Sequence, residues 1–277
     1  MTAHLATQAE KGLAFRALHE REGAFLIPNP WDAGTARLLA YLGFEALATT
    51  SGGYAFSVGR PDNAISREET MAHIAKLAPA GGLPVSADLE NGFGDAPEIV
   101  AETIRLAAAA GAVGGSIEDM SGQPGRPIYG RERAAERVRA AAEAAGALPF
   151  AFTLTARCEN YLAGKPDLKD TIGRLQAYQA AGADVLYAPG LANAEDIAAV
   201  VSSVDRPVNV IMGIAGVQLS LASLSAMGVK RVSVGSALSR AALGAFLRAA
   251  REMKEQGTFG FAEEAPKYRD INEIFGR

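Results

Sequence analysis

The sequence predicts an α/β protein folded as a (β/α)8, or TIM, barrel. Eight short apolar runs alternate with longer helical patterns along the 277 residues, and no change of composition marks a domain boundary. Most runs follow a helical pattern ending at a glycine, where a left-handed backbone lets the chain turn back. A Rossmann domain is disfavoured because no Gly-x-Gly-x-x-Gly turn follows the first run. We expect one barrel domain over residues 1–277, with 255–277 as a C-terminal helical extension.

The elements are assigned in order, each strand to a short apolar run and each helix to the longer pattern between two runs. A first helix at 13–22 is expected to cover the bottom of the barrel. The strands are predicted at 24–28, 46–49, 84–87, 112–117, 150–155, 185–187, 208–211 and 231–233. The helices between them are predicted at 32–41, 67–78, 96–110, 132–145, 169–181, 194–201 and 217–227, most of them ended by glycine. The last barrel helix is predicted at 241–254, and further helix at 263–275.

The composition narrows the class of protein. A net charge of −4 and a pI near 5.5 argue against nucleic acid as a partner, which would require clustered basic residues. Cys158 is the only cysteine, so no intramolecular disulfide can form, which fits a reducing cytoplasm. No signal peptide is visible in the first ten residues, and no apolar run is as long as a membrane span. We expect a cytoplasmic protein without a membrane partner.

A pair of carboxylates marks the end of the third strand. Asp88 and Glu90 follow the run 84–87 two residues apart, so a strand places both on one side. Such hard oxygen ligands suit Mg²⁺ better than zinc, although acids at strand ends also occur as solvated helix caps. In a TIM barrel the site lies at the carboxyl ends of the strands. The acids therefore mark the expected site.

Other strand ends carry polar groups as well. The hydroxyls and amides of the segment 49–53 could hold a carboxylate, or the segment could be a plain Gly-Gly turn. Asp62 lies in the following loop, where it either serves the site or caps a turn. Glu118 ends strand four on the side of Ser116. Arg157 ends strand five, and it either binds a carboxylate of the ligand or only neutralises the surrounding acids. Asn209 lies near the end of strand seven.

Some kinds of chemistry are missing from these strand ends. The three histidines, at positions 4, 19 and 73, fall in helices or at the terminus, so neither a histidine base nor a zinc site is expected. No lysine ends a strand, which argues against a Schiff base. Cys158 is expected to be a packed thiol and not a nucleophile. The remaining candidates for catalysis are a polarising metal ion, carboxylates and a tyrosine.

These motifs together resemble the isocitrate lyase/phosphoenolpyruvate mutase superfamily over nearly the whole chain. The resemblance implies that Asp88 binds Mg²⁺ directly, with Mn²⁺ as a substitute, and that Asp62, Glu90 and Glu118 act largely through water. It further implies a dimer or tetramer in which neighbouring subunits exchange the final barrel helix. The substrate would be a 2-oxo acid, contacted by Asp88 and Asn209 and held at its carboxylate by Ser51, Gly52, Gly53 and Arg157. The matching segments are 51–53, 62, 88–94, 116–119, 155–157 and 209.

Members of this superfamily make or break a bond beside a carbonyl through an enolate, so a fixed cation and Arg157 would stabilise charge where it develops. Departures from the pattern bear on the reaction. The loop 120–130 lacks the Lys-Lys-Cys-Gly-His motif of isocitrate-type lyases, and Thr49 replaces their tyrosine. Met120 follows Asp119 where phosphonate-acting members typically have lysine, Glu90 replaces a common aspartate, and Gly190 replaces an acid that lyase members carry.

The expected catalytic residues are therefore Arg157, Glu118 and Tyr129. The glycine-rich loop 120–130 is either a mobile lid or an ordinary surface loop, and as a lid it would let Arg126 or Tyr129 reach the substrate. The leading hypothesis is a Mg²⁺-dependent lyase that cleaves a C–C bond of a small 2-oxo or 2-hydroxy (di)carboxylic acid. The alternatives are a phosphonopyruvate-type P–C bond enzyme and a 2-oxo acid binding protein that has lost its proton donor.

Overall fold

A computed structural model describes residues 6–276; His4 and the rest of segment 1–5 lie outside the described residues, as does Arg277. Eight parallel strands form one sheet with helices between them, which is a TIM barrel. The eight predicted strands are confirmed, with ends that shift by up to three residues. The barrel strands are β1 (Phe25–Ile27), β2 (Leu47–Ala48), β3 (Val85–Asp88), β4 (Gly114–Glu118), β7 (Thr153–Arg157), β8 (Val185–Tyr187), β9 (Val208–Ile211) and β10 (Arg231–Ser233).

The strand order is β1-β10-β9-β8-β7-β4-β3-β2. The Ala48 amide donates a 3.1 Å hydrogen bond to the Pro28 carbonyl between the two outer strands, so the barrel is nearly closed. In-register pairing aligns Arg157 with Tyr187, Tyr187 with Asn209, and Asn209 with Arg231. These four residues occupy one line across four adjacent strands.

The helices follow the predicted order, but one was missed, one is shorter than predicted, and the terminal helix predicted at 263–275 begins only at Tyr268, after Pro266. They are α1 (Gln8–Glu20), α2 (Ala33–Tyr41), α3 (Ser51–Ser57), α4 (Arg67–Leu77), α5 (Pro97–Ala109), α6 (Arg131–Gly146), α7 (Leu168–Ala180), α8 (Ala194–Ser202), α9 (Leu221–Ala226), α10 (Ala237–Gln256) and α11 (Tyr268–Phe275). The prediction missed α3, where two glycines hide a helix that Thr50 caps through the Gly53 amide. The helix predicted at 217–227 shortens to α9 because its cap is Ser220.

The loop 120–130 also differs from the expectation. It forms an antiparallel hairpin, β5 (Met120–Gln123) and β6 (Arg126–Ile128), in which Gly122 within β5 and Gly125 in the turn have positive φ. The Ser121 hydroxyl donates to the Arg126 carbonyl across this turn. These strands were not predicted from the sequence, because glycine and proline are poor strand formers.

Helix α1 closes the amino-terminal end of the barrel, as the sequence predicted. Phe15 and Leu18 pack against Phe25 and Ile27 in a buried cluster. The largest core cluster lies between the sheet and helices α5 to α8. Among the described helices, none is long and apolar enough to cross a membrane.

Candidate active site

A cavity of about 210 Å³ opens among the residues at the carboxyl ends of the barrel strands. Six of the predicted site residues line it: Ser51, Gly52, Asp62, Asp88, Arg157 and Asn209. Glu90 and Glu118 lie beside it, close enough for their charges to interact with Asp88. Gly53 is buried and does not line the cavity. The structure thus brings together residues that are as much as 158 positions apart in the sequence.

Arg157 is the centre of the charge arrangement. Its Nη1 lies 2.9 Å from Asp88 Oδ1, its Nη2 lies 3.0 Å from Glu118 Oε2, and its Nε lies 2.9 Å from Glu159 Oε1. The side chain is only 15% exposed, and three carboxylates surround it. The guanidinium also lies over the Tyr187 ring, 5.3 Å from its centroid. Its position is therefore fixed from several sides.

Asp88 joins strand β3 to the start of helix α3. The Ser51 amide donates to Asp88 Oδ2 at 3.1 Å, and the Asp88 amide donates to Thr49 Oγ1 at 2.8 Å. A carboxylate at a helix N-terminus is favoured by the amides exposed there. In the segment predicted to hold a ligand carboxylate, the Ser51 and Gly53 amides already have acceptors, Asp88 and Thr50.

Gly52 has a steric role that the sequence alone could not show. A Cβ atom at this position would lie 3.2 Å from the Asp62 carboxylate. The missing side chain therefore lets the 59–63 loop bring Asp62 up to the cavity. The expectation that Asp62 reaches the site agrees with this geometry.

The acids around the cavity are crowded. Burial and the neighbouring carboxylates of Asp88 and Asp62 raise the pKa of Glu90 to about 7, against the opposing effect of Arg157. Burial also raises the pKa of Glu118 well above its usual value, and Glu159, Asp88 and Glu90 add to that effect. Glu90 has a left-handed backbone with φ of 48°. A bound cation would reduce the electrostatic repulsion among these carboxylates.

The donor set fits a magnesium ion. Asp62, Asp88, Glu90 and Glu118 offer carboxylate oxygens, which are the ligands Mg²⁺ prefers. Within residues 6–276, no three acidic, histidine or cysteine side chains are already placed to hold a metal directly. Mg²⁺ keeps several waters and commonly uses one or two carboxylates, so Asp88 with water-bridged neighbours is a suitable arrangement. The metal assignment stays a prediction.

The two other acids at this edge serve to position Arg157. Asp119 accepts the Glu159 amide at 2.8 Å, and Glu159 in turn pairs with Arg157. Asp119 also accepts the Tyr178 hydroxyl at 2.5 Å and Arg174 Nη1 at 3.0 Å. It does not line the cavity, although it directly follows Glu118 in the sequence. Sequence reasoning missed Glu159, although its place two residues after Arg157 was a usable signal.

Tyr129 lies outside the cavity lining, in contrast to its expected catalytic position. Its hydroxyl donates to Asp95, and Arg137 lies over its ring at 4.3 Å from the centroid. Burial and the hydrogen bond to Asp95 raise its pKa to about 12. The placement has a physical reason, since Tyr129 follows Ile128 at the end of β6 and packs into the core formed with α5 and α6.

Several cavity residues were missed from the sequence. Asn29 accepts the Val234 and Gly235 amides through Oδ1, both at 2.9 Å, and so joins the ends of β1 and β10. Tyr187, Arg231 and Ser233 also line the cavity. Polar residues at alternating positions within short strands were the available signal. Cys158 is buried, which confirms it as a packed thiol.

Comparisons with known proteins place the chain in a family. The family model for phosphoenolpyruvate phosphomutase matches residues 15–254. A crystal structure of a candidate lyase/mutase from Burkholderia cenocepacia is 68% identical, with a TM-score of 0.96 and coverage of 98% of this chain and 97% of that one. Oxaloacetate decarboxylase of Chromohalobacter salexigens is 27% identical over 94% of this chain and 91% of its own length.

A solved phosphonopyruvate hydrolase, in complex with oxalate and Mg²⁺, is 25% identical, with a TM-score of 0.86 and coverage of 96% of this chain and 95% of that one. These relatives act on small acids at a C–C or a P–C bond. The barrel, the acidic cavity and the family match agree with one another. The chain belongs to the phosphoenolpyruvate mutase family and is an enzyme of the isocitrate lyase/phosphoenolpyruvate mutase type.

Proposed function

We propose that the enzyme is a Mg²⁺-dependent lyase that cleaves a C–C bond of a small 2-oxo or 2-hydroxy (di)carboxylic acid through an enolate. The observation that carries this proposal is the placement of Arg157 among Asp88, Glu118 and Glu159 beside a small cavity. Cleavage or decarboxylation of an oxaloacetate-like acid needs a Lewis acid and a fixed cation but no lid cysteine. The similarity to an oxaloacetate decarboxylase supports the same reaction class.

The chain's own residues would act as follows. Arg157 donates from its guanidinium to the substrate's carboxylate or keto oxygen, so that negative charge developing on oxygen meets a cation already in place. Asp88, with Asp62, Glu90 and Glu118, would hold Mg²⁺, which when bound polarises the keto group as a Lewis acid. Ser51, Gly52 and Asn209 line the cavity and would orient the substrate.

Glu118 can carry a proton beside the reacting atoms. Its Oε2 lies 3.0 Å from Arg157 Nη2, and its raised pKa favours the protonated form of an otherwise ionised group. Tyr129 is not needed in this scheme, because its hydroxyl is engaged by Asp95. We therefore assign the proton-carrying role to Glu118 within the proposal.

The test is a set of steady-state assays on oxaloacetate and phosphonopyruvate, with Mg²⁺ and with EDTA. We expect pyruvate from oxaloacetate in Mg²⁺, no turnover in EDTA, and recovery when Mg²⁺ or Mn²⁺ is added back. Asp88→Ala should lose this activity, while Asp205→Ala, an exposed acid remote from the cavity, should keep it. Turnover that persists in EDTA would contradict the metal-dependent mechanism.

Two alternatives are decided by the same assays. The similarity to a phosphonopyruvate hydrolase favours a P–C bond enzyme, and faster release of phosphate from phosphonopyruvate would identify it. The loop 120–130, which has no cysteine, histidine or lysine, favours a protein that binds 2-oxo acids without turnover. Calorimetry would then show Mg²⁺-dependent binding of pyruvate or 2-oxoglutarate, with no product from any acid tested.

We also propose that the enzyme is a homodimer or homotetramer with an exchanged α10. This helix has one buried residue, Ser239, over twenty positions. Its large apolar side chains remain exposed, and a soluble monomer rarely leaves so many on one helix. They are Leu238, Leu243, Phe246, Leu247 and Met253. Light scattering after size exclusion should give two or four chains per particle, and Phe246→Asp should shift the particle towards the monomer.

A further inference from the structure

The interior of the barrel contains a second arginine, Arg231, that neither the sequence motifs nor the family match assigns. It begins strand β10, is 5% exposed, and lines the same cavity as Arg157. TIM barrel interiors are usually filled by branched apolar side chains. Here Arg231, Asn209 and Ser233 form a buried polar group instead.

Arg231 has no counter-charge within the part of the chain that the structure describes. Its Nε donates to Asn209 Oδ1 at 2.9 Å, a neutral amide oxygen. Its Nη1 is buried without a hydrogen-bond partner. The nearby titratable groups are His19 and Tyr187, and burial favours the neutral form of both. No carboxylate within residues 6–276 forms an ion pair with it, whereas Arg157 pairs with three.

An unpaired buried cation costs stability, so its retention needs a compensating contact. Arg137, also buried, donates from both of its terminal nitrogens to the carbonyls of Asn91, Gly94 and Asp95, and only its Nε lacks a partner among the described residues. Among the described residues Arg231 has one hydrogen-bond partner, Asn209, and it borders a space that a ligand can enter. An anionic group of the ligand would supply the missing charge.

The position of Arg231 relative to Arg157 suits a small ligand with two acid groups. The two arginines occupy the ends of the line that runs through Tyr187 and Asn209 across four adjacent strands. Three strand spacings separate them by at most roughly 14 Å along the sheet. Both side chains border the same cavity and shorten that gap. One acid group can therefore approach each guanidinium.

We propose that Arg231, with Asn209 and Ser233, binds the second acid group of the substrate, a carboxylate or a phosphonate. The inference rests on the proposed function for the other end of the ligand, and it restricts the substrate to diacids. Asn209 Nδ2 already donates to Ser233 Oγ at 3.0 Å, which holds both side chains beside Arg231. A monoacid would leave the Arg231 charge unpaired and should bind more weakly.

The test uses stable 2-hydroxy acids in calorimetric titrations with Mg²⁺ present. Malate and 2-hydroxybutyrate differ only in a terminal carboxylate against a methyl group, and 2-hydroxy-3-phosphonopropanoate provides the phosphonate arm. We expect the wild-type enzyme to bind one of the diacids roughly 10- to 100-fold more tightly than 2-hydroxybutyrate. The preferred diacid identifies which acid group Arg231 recognises. Equal affinities for the monoacid and both diacids would overturn the proposal.

The variants separate recognition from structure. Arg231→Met should reduce diacid affinity to the level of 2-hydroxybutyrate, leave 2-hydroxybutyrate unchanged, and melt at or above the wild-type temperature, since a buried charge is removed. Arg206→Met, an exposed arginine, should change neither ligand. Equal weakening of monoacid and diacid by Arg231→Met would show a structural role only. If that variant does not fold, the wild-type preference and Arg231→Lys, which should retain part of it, still decide the question.

The outcomes also distinguish this inference from the proposed lyase reaction. Turnover of oxaloacetate in Mg²⁺ with no diacid preference would contradict the Arg231 subsite and support the lyase reaction. If the wild type prefers diacids, Arg231→Met loses this preference, and no acid is turned over, the subsite is supported and the lyase reaction is contradicted. The two carboxylates of oxalate are bonded directly to each other, so oxalate has no acid group further along a chain that could reach Arg231. It tests the Arg157 end alone and should bind wild type and Arg231→Met equally.

Discussion

Arg157 Nη1 and Asp88 Oδ1 lie 2.9 Å apart although 69 residues separate them in the chain. The pair joins the ends of β7 and β3 across β4, and both side chains are more than four-fifths buried. It therefore couples the residue proposed to hold the metal to the residue proposed to hold the substrate. A change in either side chain should affect both functions.

The first prediction concerns the charge of Arg157. Arg157→Lys should lower kcat/KM for oxaloacetate by roughly 10²- to 10³-fold, because an ammonium cannot reproduce the planar donor geometry. Arg157→Gln should lower the free energy of unfolding by about 3–5 kcal/mol, since it leaves buried carboxylates without a cation. Urea unfolding measures the second effect.

An exposed arginine provides the control. Arg105 pairs with Glu102 on the surface of α5 at 2.9 Å, and Arg105→Gln should cost less than about 1 kcal/mol. Equal losses in Arg105→Gln and Arg157→Gln would show that the three carboxylates around Arg157 are solvated or protonated when it is removed.

The second prediction concerns the affinity for Mg²⁺ as a function of pH. Burial and the carboxylates of Asp88 and Asp62 raise the pKa of Glu90 to about 7, so below this pH Glu90 takes up a proton and loses its charge. Mg²⁺ affinity measured by calorimetry should therefore fall as the pH drops from 8 to 6, by up to about tenfold per pH unit below the pKa. In Glu90→Gln the step near pH 7 should be absent, whereas Glu143→Gln on the exposed face of α6 should retain it. A step unchanged in Glu90→Gln would assign the titration to another group.

The third prediction is a pH dependence of stability that arises from His19. Burial, with a smaller effect of Arg231, lowers the pKa of His19 from 6.5 to about 3. The folded pKa lies below the unfolded one, so this contribution is present above pH 6.5 and is lost as the pH falls towards 3. At pH 5 the loss should be about 2 kcal/mol.

His19→Phe tests this effect because it keeps the edge-to-face contacts with Phe15 and Phe25. Between pH 7.5 and 5 the variant should lose about 2 kcal/mol less of its unfolding free energy than the wild type does. Other titrating groups are common to both proteins and cancel in this difference. Parallel curves for the two proteins would show that His19 is protonated in the folded state.

The sequence predicted the barrel well because its signals are local and repeated. Each strand is a short apolar run, and glycines such as Gly111 and Gly182 have positive φ at the helix ends. Helix α3 and the hairpin β5–β6 were not predicted from the sequence, because both contain glycines that local propensity assigns to turns. Their formation depends on tertiary contacts, such as the Ser51 amide on Asp88.

A site residue could be predicted from the sequence where it is a charged or polar residue at the end of a predicted strand. Asp88, Arg157 and Asn209 were found in this way. Tyr129 was misplaced because the direction of its side chain depends on Asp95, which lies 34 residues away, and on Arg137 in the following helix. Arg231 was missed because it begins a strand instead of ending one, and its alternation with Ser233 marks the interior face only once the barrel is formed.

The last prediction uses Gly52 to separate folding from function. Gly52 lies in helix α3 with an ordinary helical backbone, so alanine there should stabilise the fold by up to about 1 kcal/mol through helix propensity. Its new Cβ would lie 3.2 Å from the Asp62 carboxylate, and the exposed 59–63 loop must move to relieve this contact. Gly52→Ala should therefore melt at or above the wild-type temperature, yet bind Mg²⁺ more weakly and turn over oxaloacetate more slowly. Gly146→Ala, at the end of α6, provides the control, because no atom lies within 4 Å of the position of its new Cβ. If Gly52→Ala gains stability and keeps full Mg²⁺ affinity, Asp62 takes no part in the metal site.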